Sequence, residues 1–210
     1  MELLESTYTI VIINKGFSPS ALSSLDLGES LNLDKKNEVV IPPLFKLQYE
    51  DKYFIQAFEG GKLQITLNSL ELGDDFNKVQ EMGLKAIDSF DDFKTTAIGL
   101  NFKGKWLSES FDINEWRRKF FKLDDSINPL NNNNLKHSEF KFSIAKNEFT
   151  MNIKLSEDIE DEKKGIKCNV NNDYNFGEGS TDLDYLKDII NNSNEILRET
   201  KSEIEAEWIN

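Results

Sequence analysis

Leu183, Ile190, Leu197 and Ile204 recur at intervals of seven residues near the end of the chain, and Leu186, Ile189 and Trp208 widen the same stripe. This spacing predicts one helix over residues 182–208, roughly 27 residues and on the order of 40 Å long. Its other side is acidic: Asp182, Asp184, Asp188, Glu195, Glu199, Glu203, Glu205 and Glu207 stand against Lys187, Arg198 and Lys201. A helix with one apolar side must lay that side on something. Ser193 and Thr200 interrupt the second seam position, which favours packing within one chain over a coiled coil.

The rest of the chain offers a sheet as that surface. Residues 7–13 are mostly β-branched or aromatic and read as a central strand. Phe45, Leu47 and Tyr49 alternate with polar residues, as do Leu63, Ile65 and Leu67, and Gly60-Gly61 suits a tight turn between residues 53–58 and 63–67. Further strands are predicted around Ile98, Leu100 and Phe102, and around Ile166, Cys168 and Val170. Between these two, Phe140, Phe142 and Ile144 form a hairpin with Phe149, Met151, Ile153 and Leu155. Asp74 is placed to cap a helix that turns Phe76, Val79, Gly83, Ile87 and Phe90 to one side. Ser18-Pro19 predicts a short helix, and Asp112 with Glu115 three residues on predicts a capping box for another. Residues 27–37 and the acidic stretch 156–164 read as loops. Residues 124–135, with Pro129 and four consecutive asparagines, read as a loop between halves 1–123 and 136–210. The expected fold is a single α+β domain whose antiparallel sheet has barrel-like closure among its options. It is built from two hairpin–helix halves and ends in a long C-terminal helix.

Chemistry is bounded by what is scarce. The 210 residues include one histidine, His137, and one cysteine, Cys168, and 38 acids against 25 bases give a net charge of -13. A lone cysteine cannot close an internal disulfide and residues 1–5 show no signal-peptide pattern, so a cytoplasmic location is expected. No apolar run approaches the ~20 residues of a membrane-spanning helix. The acidic balance disfavours generic nucleic-acid binding and favours a protein partner with a basic surface.

Three groups of residues can be given roles. His137, Glu139 and Lys141 alternate along one predicted strand, and Glu-x-Lys in that setting is compatible with a metal-dependent nuclease, whose second carboxylate would be Asp124 or Asp125. The plainer reading is a solvated strand face. Asp173, Asn175 and Gly177, ending at Asp184, fall short of a calcium loop because glycine occupies a ligand position. No cofactor or metal is expected. Arg117, Arg118 and Lys119, close to Trp116, Lys103 and Lys105, make the one basic and aromatic neighbourhood, and with Glu199, Glu203 and Glu207 they are the candidate partner-binding residues.

The order of hairpin, helix, strand, second hairpin and terminal acidic helix resembles a family of uncharacterised bacterial α+β proteins. In that family a helix is followed by a strand reading roughly Gly-Leu-Arg-Tyr. Gly99-Leu100 match it, and Asn101 and Phe102 stand where the family has arginine and tyrosine. The resemblance implies an α+β domain of bacterial origin and supplies no catalytic positions. The function expected is that of a non-catalytic accessory, immunity or inhibitor protein of a bacterial or phage system, acting through its acidic surface. The alternatives are the nuclease centred on Glu139 and Lys141 and a small-ligand carrier with a cavity beneath the long helix.

Overall fold

The computed structural model describes residues 1–25, 27–41, 43–89, 95–120, 138–160, 162–176 and 182–209. Its strands are β1 (Glu2–Asn14), β2 (Lys35–Ile41), β3 (Leu44–Tyr49), β4 (Tyr53–Phe58), β5 (Lys62–Asn68), β6 (Thr95–Ser108), β7 (Glu139–Ala145), β8 (Thr150–Glu160) and β9 (Lys163–Asn175). The helices are α1 (Asp75–Asp88), α2 (Ile113–Phe120) and α3 (Leu183–Ile204), the last continuing as a π turn over Glu205–Ile209. Among the described residues all nine strands join one antiparallel sheet in the order β2-β3-β4-β5-β1-β6-β9-β8-β7.

That order explains the two halves. β1 is followed by a meander, β2 to β5, whose last strand returns to pair with β1 before α1 begins. β6 is followed by α2 and a second meander, β7 to β9, whose last strand returns to β6 before α3. β1 and β6 then pair with each other, so the halves share one continuous sheet. The sheet is open and not a barrel, with β2 and β7 as its two edges. The reason lies in the apolar face, which the helices cover, so the sheet need not curl onto itself to be shielded from water.

Alternation decides which face that is. Tyr8, Ile10 and Ile12 of β1 point toward the helices and are fully buried, as are Ile55, Leu63, Ile65, Ile98, Leu100, Phe102 and Val170 on the neighbouring strands. Tyr8 stacks on Phe102 at 5.4 Å and meets Phe76 of α1 edge-on at 6.4 Å. α1 buries Phe76, Val79, Met82, Ala86 and Ile87, and Gly83 lets α3 come close, since a Cβ there would stand 3.4 Å from Ile190 Cγ2. α3 buries Leu186, Ile190, Leu197 and Ile204. Ser193 and Thr200 are buried beside them. Ser193 Oγ donates to the Ile190 carbonyl at 2.6 Å, and Thr200 Oγ1 donates to the Ile196 carbonyl and accepts from Asn172 Nδ2 at 2.8 Å. The hydroxyls that break the heptad therefore bond within the interface between helix and sheet.

The turn between β4 and β5 uses Gly60 and Gly61 at φ of 89° and 82°, and a Cβ on Gly61 would fall 1.9 Å from the Asn14 carbonyl oxygen. Only glycine fits there. Asp112 caps α2 as expected, its Oδ1 accepting from the Asn114 and Glu115 amides at 2.8 and 3.1 Å, which is the N-cap half of the expected box. Asp74 makes no side-chain cap bond, and the short helix after Ser18 is a 3-10 segment, Pro19–Ser24. The stretch 27–37 is not all loop, because a 3-10 turn (Glu29–Leu31) precedes β2, which starts at Lys35. The acidic stretch 156–164 is strand for most of its length, with β8 reaching Glu160 and β9 starting at Lys163. Phe90 and the asparagine run lie outside the described residues. No helix among the described residues is long and apolar enough to cross a membrane.

Candidate functional site

All three described α-helices lie on one face of the sheet, and no described helix covers the other. The register lines up what that open face presents. One row runs Gln48, Phe54, Thr66, Thr9, Asn101, Asn171, Asn152, Ser143 across eight strands. The next runs Asn68, Thr7, Lys103, Asn169, Lys154, Lys141, and a third runs Glu5, Lys105, Lys167, Ser156, Glu139. Hydroxyls and amides link along these rows. Thr9 and Thr66 share a bond of 3.0 Å, Thr7 donates to Asn68 Oδ1 at 3.3 Å, and Ser143 donates to Asn152 Oδ1 at 2.7 Å. The face is thus polar and rich in lysine, in a chain that is acidic as a whole.

Two clefts adjoin on it. The first, about 310 Å³, is lined by Thr7, Thr9, Lys46, Phe54, Gln56, Gln64, Thr66, Asn68 and Lys103, and holds no carboxylate. Lys46 Nζ lies 5.1 Å from the Phe54 ring centre. The second, about 300 Å³, has Thr7 and Lys103 in common with the first and adds Lys105, Lys154 and Lys167 with Glu5. In it Lys105 is nearly enclosed and ion-paired to Glu160, to Asp158 at 3.4 Å and to Glu5 at 3.5 Å. Hydrogen bonding to Glu160 outweighs desolvation and raises its pKa. Lys167 pairs with Asp158 at 2.7 Å and Lys154 with Glu139 at 2.6 Å. At Asp158 burial pushes the carboxyl up, but Lys167 and Lys105 together bring it below the ordinary value. Lys103 is exposed and makes no ion pair with a described residue. Cys168 contributes to the cleft floor, and burial pushes its thiol up to about 12, which keeps it unreactive.

The residues singled out from sequence fall in three places. Glu139 sits on β7 between Lys141 at 3.0 Å and Lys154 at 2.6 Å, whose hydrogen bonds hold its carboxyl below the usual range. Both of its oxygens are engaged by lysine. His137, Asp124 and Asp125 lie outside the described residues. Asp173 and Asn175 belong to β9 and not to a loop, and Gly177 lies outside the described residues.

Arg117 is buried, while Arg118 and Lys119 on the same helix are exposed. The Arg117 guanidinium donates through Nε and a terminal nitrogen to Glu157 at 2.5 and 2.7 Å, and also to Asn114 Oδ1 at 3.2 Å. This fork ties α2 to β8. Beside it Trp116, Phe120, Phe140, Phe142 and Trp208 form an aromatic cluster, in which Phe120 stacks on Phe140 at 4.0 Å. Trp116 Nε1 donates to the Trp208 carbonyl at 3.2 Å.

Along α3, Glu199 and Glu207 are exposed, and Glu203 is partly covered by Lys146, whose ammonium lies 3.2 Å away. At 3.6 residues per turn Asp184, Asp188, Glu195 and Glu199 fall within about 60° of one another, with Glu203 and Glu207 set to one side. All four are exposed, and none forms an ion pair with a described residue. Carboxylates therefore concentrate on the helical side of the molecule and lysines on the open sheet. Sequence reading found the acidic helix, but of its candidates Glu199, Glu203 and Glu207 only Glu199 belongs to this row. It missed the lysine face, whose members come from different strands and meet only through the register. No protein-family model matches the chain, and no curated protein matches it either.

Proposed function

We propose that the chain is a non-catalytic binding protein of accessory, immunity or inhibitor type, which docks on a basic protein surface through α3. The observation that carries this reading is the stripe Asp184, Asp188, Glu195, Glu199: exposed, unpaired among the described residues, and fixed in place because the opposite side of the same helix is packed on the sheet. A rigid row of charge loses little side-chain freedom beyond its own rotamers on binding, and it steers a partner of opposite sign. The pairing of Glu139 with two lysines supports reading that residue as part of a surface ion-pair cluster.

Co-purification from the source cells tests this with the intact chain and with the triple variant Asp188→Lys, Glu195→Lys, Glu199→Lys. The expected result is a partner with a basic surface that the parent retains at low salt, releases as salt rises, and that the folded variant does not retain. The same set of proteins retained by parent and variant would overturn the reading.

A further inference from the structure

The two adjoining clefts on the open sheet face bring together an aromatic ring, amides paired across neighbouring strands, and lysines. Phe54 lies in the first cleft, with Gln56 and Gln64 directly paired across β4 and β5 in the neighbouring row. Each amide offers both a donor and an acceptor, the complement of a nucleobase edge. Lys103 stands where the two clefts meet, exposed and without an ion pair among the described residues. From there the face continues to Lys154 and Lys167.

We propose that this face binds single-stranded nucleic acid, with an unpaired base stacked on Phe54 and the phosphate backbone led across Lys103 toward Lys154. The Lys46 ammonium rests by the Phe54 ring in the free protein. A stacked base takes that place, and the long side chain carries the charge to the adjoining phosphate. From β4 to β8 the track crosses five strand spacings, about 24 Å at ~4.8 Å each, which suits a short oligonucleotide near the lower limit of known single-strand sites. The net charge of -13 does not forbid this. The acidic stripe of α3 faces solvent on the opposite side of the molecule, and the carboxylates on the open face itself, Glu5, Glu139, Asp158 and Glu160, are each paired to a lysine there, while the first cleft holds none.

The experiment is fluorescence anisotropy of labelled deca-uridylate titrated with the full chain at two salt concentrations, with inorganic polyphosphate and a ten-base-pair duplex as competitors. Saturable binding is expected, with both competitors weaker than unlabelled deca-uridylate. Phe54→Ala should weaken binding at least about fivefold, as loss of one stacked base does. Lys103→Ala should lower the slope of log affinity against log salt by about one. If Phe54→Ala melts early, Phe54→Leu, which keeps the apolar bulk and lacks the ring, should show the same weakening. Absence of saturable binding overturns the proposal. So does competition by polyphosphate or duplex equal to that of the single strand, or binding by a folded Phe54 variant equal to that of the parent.

Discussion

Arg117 and Glu157 lie 40 residues apart in sequence and meet as a buried fork, with N···O distances of 2.5 and 2.7 Å and side chains 7% and 2% exposed. The pair fastens α2 and the aromatic cluster to the last meander. Removing one partner leaves the other charge buried without compensation, so Arg117→Ala should cost about 3–5 kcal/mol, while the exposed neighbour Arg118→Ala should stay within about 0.5 kcal/mol. Replacing both, as Arg117→Met with Glu157→Leu, should restore most of the loss. Urea unfolding of the four proteins checks this, and equal midpoints for Arg117→Ala and Arg118→Ala would refute it.

Leu197 is fully buried between α3 and the sheet. Leu197→Ala should lower stability by about 2–5 kcal/mol with no change in molecular mass. Light scattering and thermal melts at several concentrations provide the check. A melting point that rises with concentration would place the stripe at a seam between two copies instead.

Acid should destabilise the fold through carboxyls that lysines hold down. Asp75 is lowered chiefly by its hydrogen bond from Lys52 at 2.6 Å and also by that from Tyr53 at 3.0 Å, and Asp158 is lowered by Lys167 and Lys105 against the opposing effect of burial. A carboxyl with a depressed folded pKa stabilises above the unfolded value, near 3.9, and loses that contribution as pH falls through the folded one. Stability should therefore be level above about pH 5 and fall below about pH 4, and Asp158→Asn should flatten that fall. Melting temperatures measured between pH 2 and 7 test the sign. A fall of equal depth in Asp158→Asn would remove the assignment.

The parts of the fold that sequence showed are those with a local period. α1 and α3 carry apolar stripes at helical spacing, that of α3 interrupted only by Ser193 and Thr200, and β3 to β5 alternate cleanly because one face is buried and the other open. β2 stayed hidden because an edge strand with Lys35, Lys36, Asn37 and Glu38 all exposed has no inward face to mark it. The ends of β8 and β9 were masked by charge. Glu157 points inward to Arg117 and Asp158 outward to Lys167, so two adjacent acids occupy opposite faces of a regular strand and imitate a loop. The open face was illegible for a similar reason: Phe54, Thr9, Asn101 and Asn171 share a row, through Thr66, only once five strands are set in register.

The most direct test of the proposed function is zero-length carbodiimide crosslinking of the native complex, which joins carboxylates to lysines in contact. The expected crosslinks run from Asp184, Asp188, Glu195 and Glu199 to lysines of the partner, and they disappear at high salt. Crosslinks confined to the sheet face, with none from α3, would contradict docking through the acidic helix.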